Sequence, residues 1–84
     1  MQAREIEGWI QGYVAKALSM PLSQITPDMT FDESGLDSVS AIALVGDIED
    51  WLGVEVDPIS AYEHPSIAAL ARHVASLTSE MAAQ

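Results

Sequence analysis

The 84-residue chain contains no cysteine, which removes disulfide frameworks, thiolate metal sites and any protein-borne thiol nucleophile. Cysteine-free composition fits a reducing compartment, so the expected location is the cytoplasm. Basic residues are nearly as scarce: 3 Lys and Arg stand against 13 Asp and Glu, for a formal charge of -10. None of the three lies between Lys16 and Arg72, so the middle of the chain carries a negative potential that repels nucleic acid and anionic membranes. Long apolar runs are missing too. None approaches the ~20 residues that a membrane-spanning helix needs. The opening Met1-Gln2-Ala3-Arg4-Glu5 lacks the basic start and apolar stretch of a signal peptide. A soluble protein with neither membrane nor nucleic-acid partners is therefore expected. Strand patterns are absent as well, since Val54-Glu55-Val56 alternates too briefly to count.

What is present is apolar content, at 49%, enough for one compact core over residues 1–84 and too little for two. At this size a deep catalytic cleft would compete with the core for the same side chains. Ile6, Trp9, Ile10, Tyr13, Val14, Ala17 and Leu18 recur at helical spacing and predict a helix over about 3–19, stopped by Pro21. Ala41, Leu44, Val45, Ile48 and Leu52 predict another over about 38–52, closed by Gly53. Asp57-Pro58 opens a short helix over about 58–62. Ser66 caps a last one over about 66–78, with Ile67, Leu70, Ala71, Val74 and Leu77 inward and fraying expected beyond Thr78. The fold class is all-α: a monomeric four-helix bundle of three longer helices and one short one, with a long loop between helices 1 and 2. That loop is unusually long for so small a domain. Met20, Leu22, Ile25, Met29, Phe31 and Leu36 within it would pin it to the helices, with a turn near Thr26-Pro27-Asp28.

Gly35-Leu36-Asp37-Ser38 falls where this loop meets the second helix. Asp37 is a good N-cap, worth about 1 kcal/mol. Gly35 permits a turn that other residues resist, and Ser38 should show its hydroxyl to solvent. An Asp-Ser pair at a helix start is common for capping reasons alone. Opposite the core stripe of the same helix lie Val39, Ala43, Gly46, Asp47 and Asp50, with Glu49 at the edge. A solvated face is the ordinary meaning of such a pattern; a surface that steers basic partners is the functional one. Gly46 costs about 1 kcal/mol relative to alanine inside a helix, so close packing or close approach of a partner would account for it.

A triad of Ser38, Asp37 and His64 or His73 is disfavoured, because an Asp adjacent to the Ser cannot easily orient a distant imidazole. Asp32-Glu33-Ser34-Gly35 followed by Asp37 does not fit a calcium loop. Trp9, Tyr13 and Trp51 read as core and rim aromatics. No catalytic residue and no metal ligand is assigned.

The order Ile25, Pro27-Asp28, Phe31, Gly35-Leu36-Asp37-Ser38-Val39, Leu44 and Ile48 resembles the acyl carrier protein family over nearly the whole chain. The segments Gly46 to Gly53 and Tyr62 to Leu70 are similar to polyketide synthase carriers, in particular those that accept chains from fatty acyl-adenylate ligases. The resemblance implies a non-catalytic carrier. Ser38, within Gly35, Leu36 and Asp37, would bear 4'-phosphopantetheine from coenzyme A, and acyl or polyketide intermediates would ride on it as thioesters. It also implies partners: a phosphopantetheinyl transferase, an acyl-loading enzyme (acyltransferase or fatty acyl-adenylate ligase), and ketosynthase and other synthase domains of polyketide or fatty acid biosynthesis. These would dock on Val39, Ala43, Gly46, Asp47, Glu49 and Asp50. Ala43, where many members carry Glu, and Gly46 and Ser34, where larger side chains are common, leave the choice of partner open. The alternatives are a peptidyl carrier of a nonribosomal peptide synthetase, which Leu36-Asp37-Ser38 disfavours, and an acidic helical interaction module without a prosthetic group.

Overall fold

The computed structural model describes the backbone of residues 2–82 and the side chains of residues 2–79. Its elements run α1 (Ala3–Leu18), a 3-10 turn (Leu22–Gln24), α2 (Phe31–Ser34), α3 (Ser38–Leu52), α4 (Ser60–Glu63) and α5 (Ile67–Ala82). The fold is an all-α helical bundle. Apolar spacing of three and four explains the long helices: α1 buries Ile6, Ile10 and Val14, α3 buries Leu44, Val45 and Ile48, and α5 buries Ile67, Leu70 and Val74. One inner position differs from expectation. Ala17 is exposed and Ala15 is buried instead; at 100° per residue position 17 stays on the side of Ile6 and Ile10, but it falls in the last turn of α1. α1 stops at Ser19, which adopts a left-handed conformation (φ 53) while its N–H reaches the Ala15 and Lys16 carbonyls.

The long loop is where expectation and structure part most. It holds a helix of its own, so three long and two short α-helices occur among the described residues. The cause is a capping box. Glu33 N–H donates to Thr30 Oγ1 at 3.0 Å, and Thr30 N–H donates to Glu33 Oε1 at 3.0 Å, so two donors that α2 would leave unpaired are satisfied reciprocally. The short helix expected at 58–62 begins instead at Ser60. Asp57 Oδ1 accepts from Ile59 N–H at 3.0 Å and the Asp57 carbonyl from Ser60 N–H at 2.9 Å, which holds 57–60 as a turn. The frayed end expected beyond Thr78 is a continued α5 as far as Ala82, and residues 83–84 lie outside the described residues.

The loop is tied to the bundle by donors that a helix start cannot satisfy internally. At the start of α5, Ala68 N–H donates to the Pro27 carbonyl at 2.9 Å and Ile67 N–H to the Met29 carbonyl at 3.3 Å. Ala69 N–H donates to Ser66 Oγ at 3.1 Å. In return Phe31 N–H donates to the Pro65 carbonyl at 2.9 Å, and Gln11 Nε2 donates to the Ile25 carbonyl at 2.7 Å. These bonds set Ile25, Phe31 and Leu36 into the core beside α1, α3 and α5. No helix of the described residues is long and apolar enough to cross a membrane.

One core member is polar. The Ser60 side chain is fully buried at the start of α4, and its Oγ has no hydrogen-bond partner. A buried hydroxyl left unpaired costs roughly 1–3 kcal/mol. Ser60→Ala is therefore expected to stabilise the fold by about 1 kcal/mol, read as a higher denaturant midpoint at unchanged slope.

Candidate functional site

Only Gly35, Leu36 and Asp37 separate α2 from α3. Gly35 closes α2 at φ 93 and ψ 7, a left-handed conformation that strains any residue with a Cβ. Leu36 N–H returns to the Phe31 carbonyl at 3.1 Å and its side chain enters the core, so the next two residues emerge into solvent. Asp37 caps α3: its Oδ1 accepts from Ser40 N–H at 2.7 Å. That hydrogen bond holds the carboxyl below the usual aspartate range, so Asp37 stays charged at neutral pH. Ser38, the first residue of α3, is exposed.

The N–H groups of Ser38 and Val39 have no intrahelical partner, and they sit at the positive end of the α3 dipole. An anion carried on Ser38 Oγ is favoured by both, and is opposed in part by the charge of Asp37. Beside Ser38 opens a cleft of about 260 Å³ whose apolar wall is Phe31, Leu36, Ala41, Ala61, Tyr62 and Pro65. The motif residues were legible in sequence. The far wall of the cleft was not, since α4 and Pro65 reach it only through the tertiary fold. Neither histidine lines this cleft. His64 and His73 stack on each other with ring centroids 4.2 Å apart, which leaves Ser38 without an imidazole base. Among the described residues no group of three or more His, Asp or Glu is placed to hold a metal ion.

Along the outer side of α3, Val39 is 77% exposed, Ala43, Gly46, Asp47 and Asp50 are exposed, and Glu49 is half-buried. Ile42, 48% exposed, belongs to the same surface and was missed. Its place four residues after Ser38 and off the core stripe was the available signal. A Cβ built on Gly46 meets nothing within 4 Å, so close packing inside the domain does not explain that glycine. Asp47 is not a free carboxylate. Tyr13 Oη donates to its Oδ2 at 2.6 Å, which ties α1 to α3.

The model for the phosphopantetheine attachment site matches residues 8–74. An acyl carrier protein of Teredinibacter turnerae, TtuC, is 34% identical over 74 residues, which cover 88% of this chain and 85% of that protein. A phenolphthiocerol/phthiocerol polyketide synthase polypeptide of Mycobacterium tuberculosis is 31% identical over 72 residues, 86% of this chain but 4% of that much longer protein. Among solved structures, a free-standing peptidyl carrier protein from Acinetobacter baumannii superposes with a TM-score of 0.83 at 33% identity, covering 89% of this chain and 94% of that one. An acyl carrier protein from Anabaena with a variant phosphopantetheinylation-site sequence superposes with a TM-score of 0.83 at 31% identity, covering 93% and 89%.

The Tyr13–Asp47 bond has a pH signature. Tyr13 is pushed up from 10.0 to about 12, first by donating to Asp47, then by burial and by the carboxylate charge. A raised tyrosine pKa contributes stability that is complete below the unfolded value of 10.0 and is lost as pH rises through about 12. Tyr13→Phe is expected to cost about 1 kcal/mol at neutral pH and to remove this part of the alkaline loss. Denaturant unfolding at neutral and alkaline pH measures both.

Proposed function

The chain belongs to the acyl carrier protein family of phosphopantetheine-bearing carriers, of polyketide synthase type, and from that premise we propose that Ser38 is the serine that takes the prosthetic group. The observation that carries this reading is the exposure of Ser38 at the first turn of a capped helix, next to an apolar cleft. When attached, the group supplies the thiol that this cysteine-free chain lacks, and acyl or polyketide cargo is held there as a thioester. The chain's own residues do the positioning. Gly35 and Leu36 turn the backbone so that Ser38 faces outward, Asp37 fixes the start of α3, and the helix dipole favours the phosphodiester. Family members of this kind are non-catalytic, and this chain acts as a substrate and partner of enzymes.

The exposed face of α3 is the docking surface in this reading. Val39 and Ile42 offer apolar contact beside Ser38, and Asp47, Glu49 and Asp50 meet Lys or Arg on a phosphopantetheinyl transferase, an acyl-loading enzyme and a ketosynthase. Such charges raise encounter rates more than affinity. Action in the cytoplasm, as a stand-alone monomer or as one unit of a larger synthase, is consistent with this role. A second reading, a carrier of aminoacyl or peptidyl chains, is supported by the likeness to the Acinetobacter peptidyl carrier. It uses the same serine and differs in the loading enzyme.

Incubation with coenzyme A and a promiscuous phosphopantetheinyl transferase is expected to add the mass of one phosphopantetheine, and Ser38→Ala to abolish the gain. An unmodified wild-type chain, or a modified Ser38→Ala chain, rejects the assignment. The rate of that modification is also expected to fall with ionic strength and when Asp47, Glu49 and Asp50 are neutralised together; rates insensitive to both exclude electrostatic steering.

A further inference from the structure

Carrier function leaves the two histidines of the chain without a role. His64 ends α4 and His73 lies in the second turn of α5, yet their rings stack with centroids 4.2 Å apart and planes within 16° of each other. Both residues are half-buried, and no side-chain hydrogen bond of the described residues uses an imidazole nitrogen. Ring contact is therefore what joins them. It fastens the back of the cleft. His64 N–H closes α4 on the Ser60 carbonyl at 2.8 Å, and the next residue, Pro65, lines the cleft with Ala61 and Tyr62. The Pro65 carbonyl in turn accepts from Phe31 N–H at 2.9 Å, at the start of α2.

We propose that the histidine stack is a proton-sensitive clasp, which keeps α4 and Pro65 against α5 while at most one ring is charged and releases them when both are. Neutral rings stack as other aromatics do, and a single charged ring still lies favourably on a neutral one. Two charged rings at 4.2 Å repel. Compensation for that repulsion is scarce. The charged side chains on the surrounding elements are Glu63 next to His64, Arg72 next to His73, Asp28 and Asp32 before and within α2, and Arg4 and Glu7 on α1. None of the acids joins the two histidines in a group of three, and Arg72 adds a like charge.

In the unfolded chain the two rings take up protons independently, whereas the stack takes the second only against repulsion. The unfolded state thus binds more protons in the histidine range, about pH 5 to 8. Stability contributed by the clasp is full above that range and is lost as pH falls through it. Parting of the rings frees Pro65 and loosens its bond to Phe31, so the far wall of the cleft opens. Glu33 and Asp37 lie outside this response, because their lowered carboxyls stay charged throughout the range. The inference concerns the fold of the chain as it stands and does not depend on Ser38 carrying a group.

The test is amide hydrogen exchange of the full chain, followed by nuclear magnetic resonance between about pH 7.5 and 5.5 with the intrinsic exchange rates divided out. Protection of Phe31 N–H is expected to drop about tenfold over that interval. His73→Phe keeps a flat ring on His64 but cannot be charged, and should hold the protection of Phe31 level. Constant protection in the wild-type chain overturns the proposal. A drop that persists in His73→Phe overturns it too. If His73→Phe does not fold, titration of the imidazole Cε1–H signals of the wild-type chain decides: two separated steps support a coupled pair, and two independent midpoints reject it.

Discussion

The bonds between the first turn of α5 and the loop carbonyls of Pro27 and Met29 govern the rest of the structure. A helix start leaves N–H groups that must find acceptors, and a loop as long as 19–30 leaves carbonyls in the same need. Each solves the other's problem. Once the loop is held against α5, Ile25 and Phe31 enter the core, α2 has a fixed origin at Thr30, and Leu36 can be buried one turn later. The outward direction of Ser38 is a consequence of where Leu36 points.

Charge acts on top of this frame in two opposed ways. At the start of α3 the dipole and free N–H groups favour an anion, while Asp37, kept ionised by its capping bond, disfavours one. The cap is nevertheless useful there, because it fixes the first turn on which Ser38 sits. Further along the helix Asp47 and Asp50 lie exposed on the outer face, away from the positive end of the dipole. Glu33 resembles Asp37 in that its bond to Thr30 lowers its pKa. Both carboxylates therefore add stability that is full above the ordinary carboxylate range and is lost as pH falls through their lowered values.

Much of the site could be read from the chain itself. Gly35, Asp37 and Ser38 carry local instructions, for a left-handed turn, a cap and an exposed first-turn hydroxyl, that depend on neighbours a few residues away. Ser66 as the cap of α5 was legible for the same reason. Thr30-Phe31-Asp32-Glu33 was equally local, and its capping-box spacing was the signal for α2 that went unread. Ala17, in contrast, lies on the right side of the helix but in its last turn, where it is exposed, because periodicity gives the direction of a stripe and not how far along the helix the core extends.

What the sequence determined alone was the set of helices, the acidic middle and the serine at a helix start, since periodicity, capping and charge act over one or two turns. The tertiary structure decided the rest: that Tyr62 and Pro65 face Phe31 across the cleft, that Tyr13 holds Asp47, and that Trp9 lies on Trp51. Those pairs are far apart along the chain, and only the packing of α1 and α4 around α3, imposed by burial of the shared core, brings them within reach.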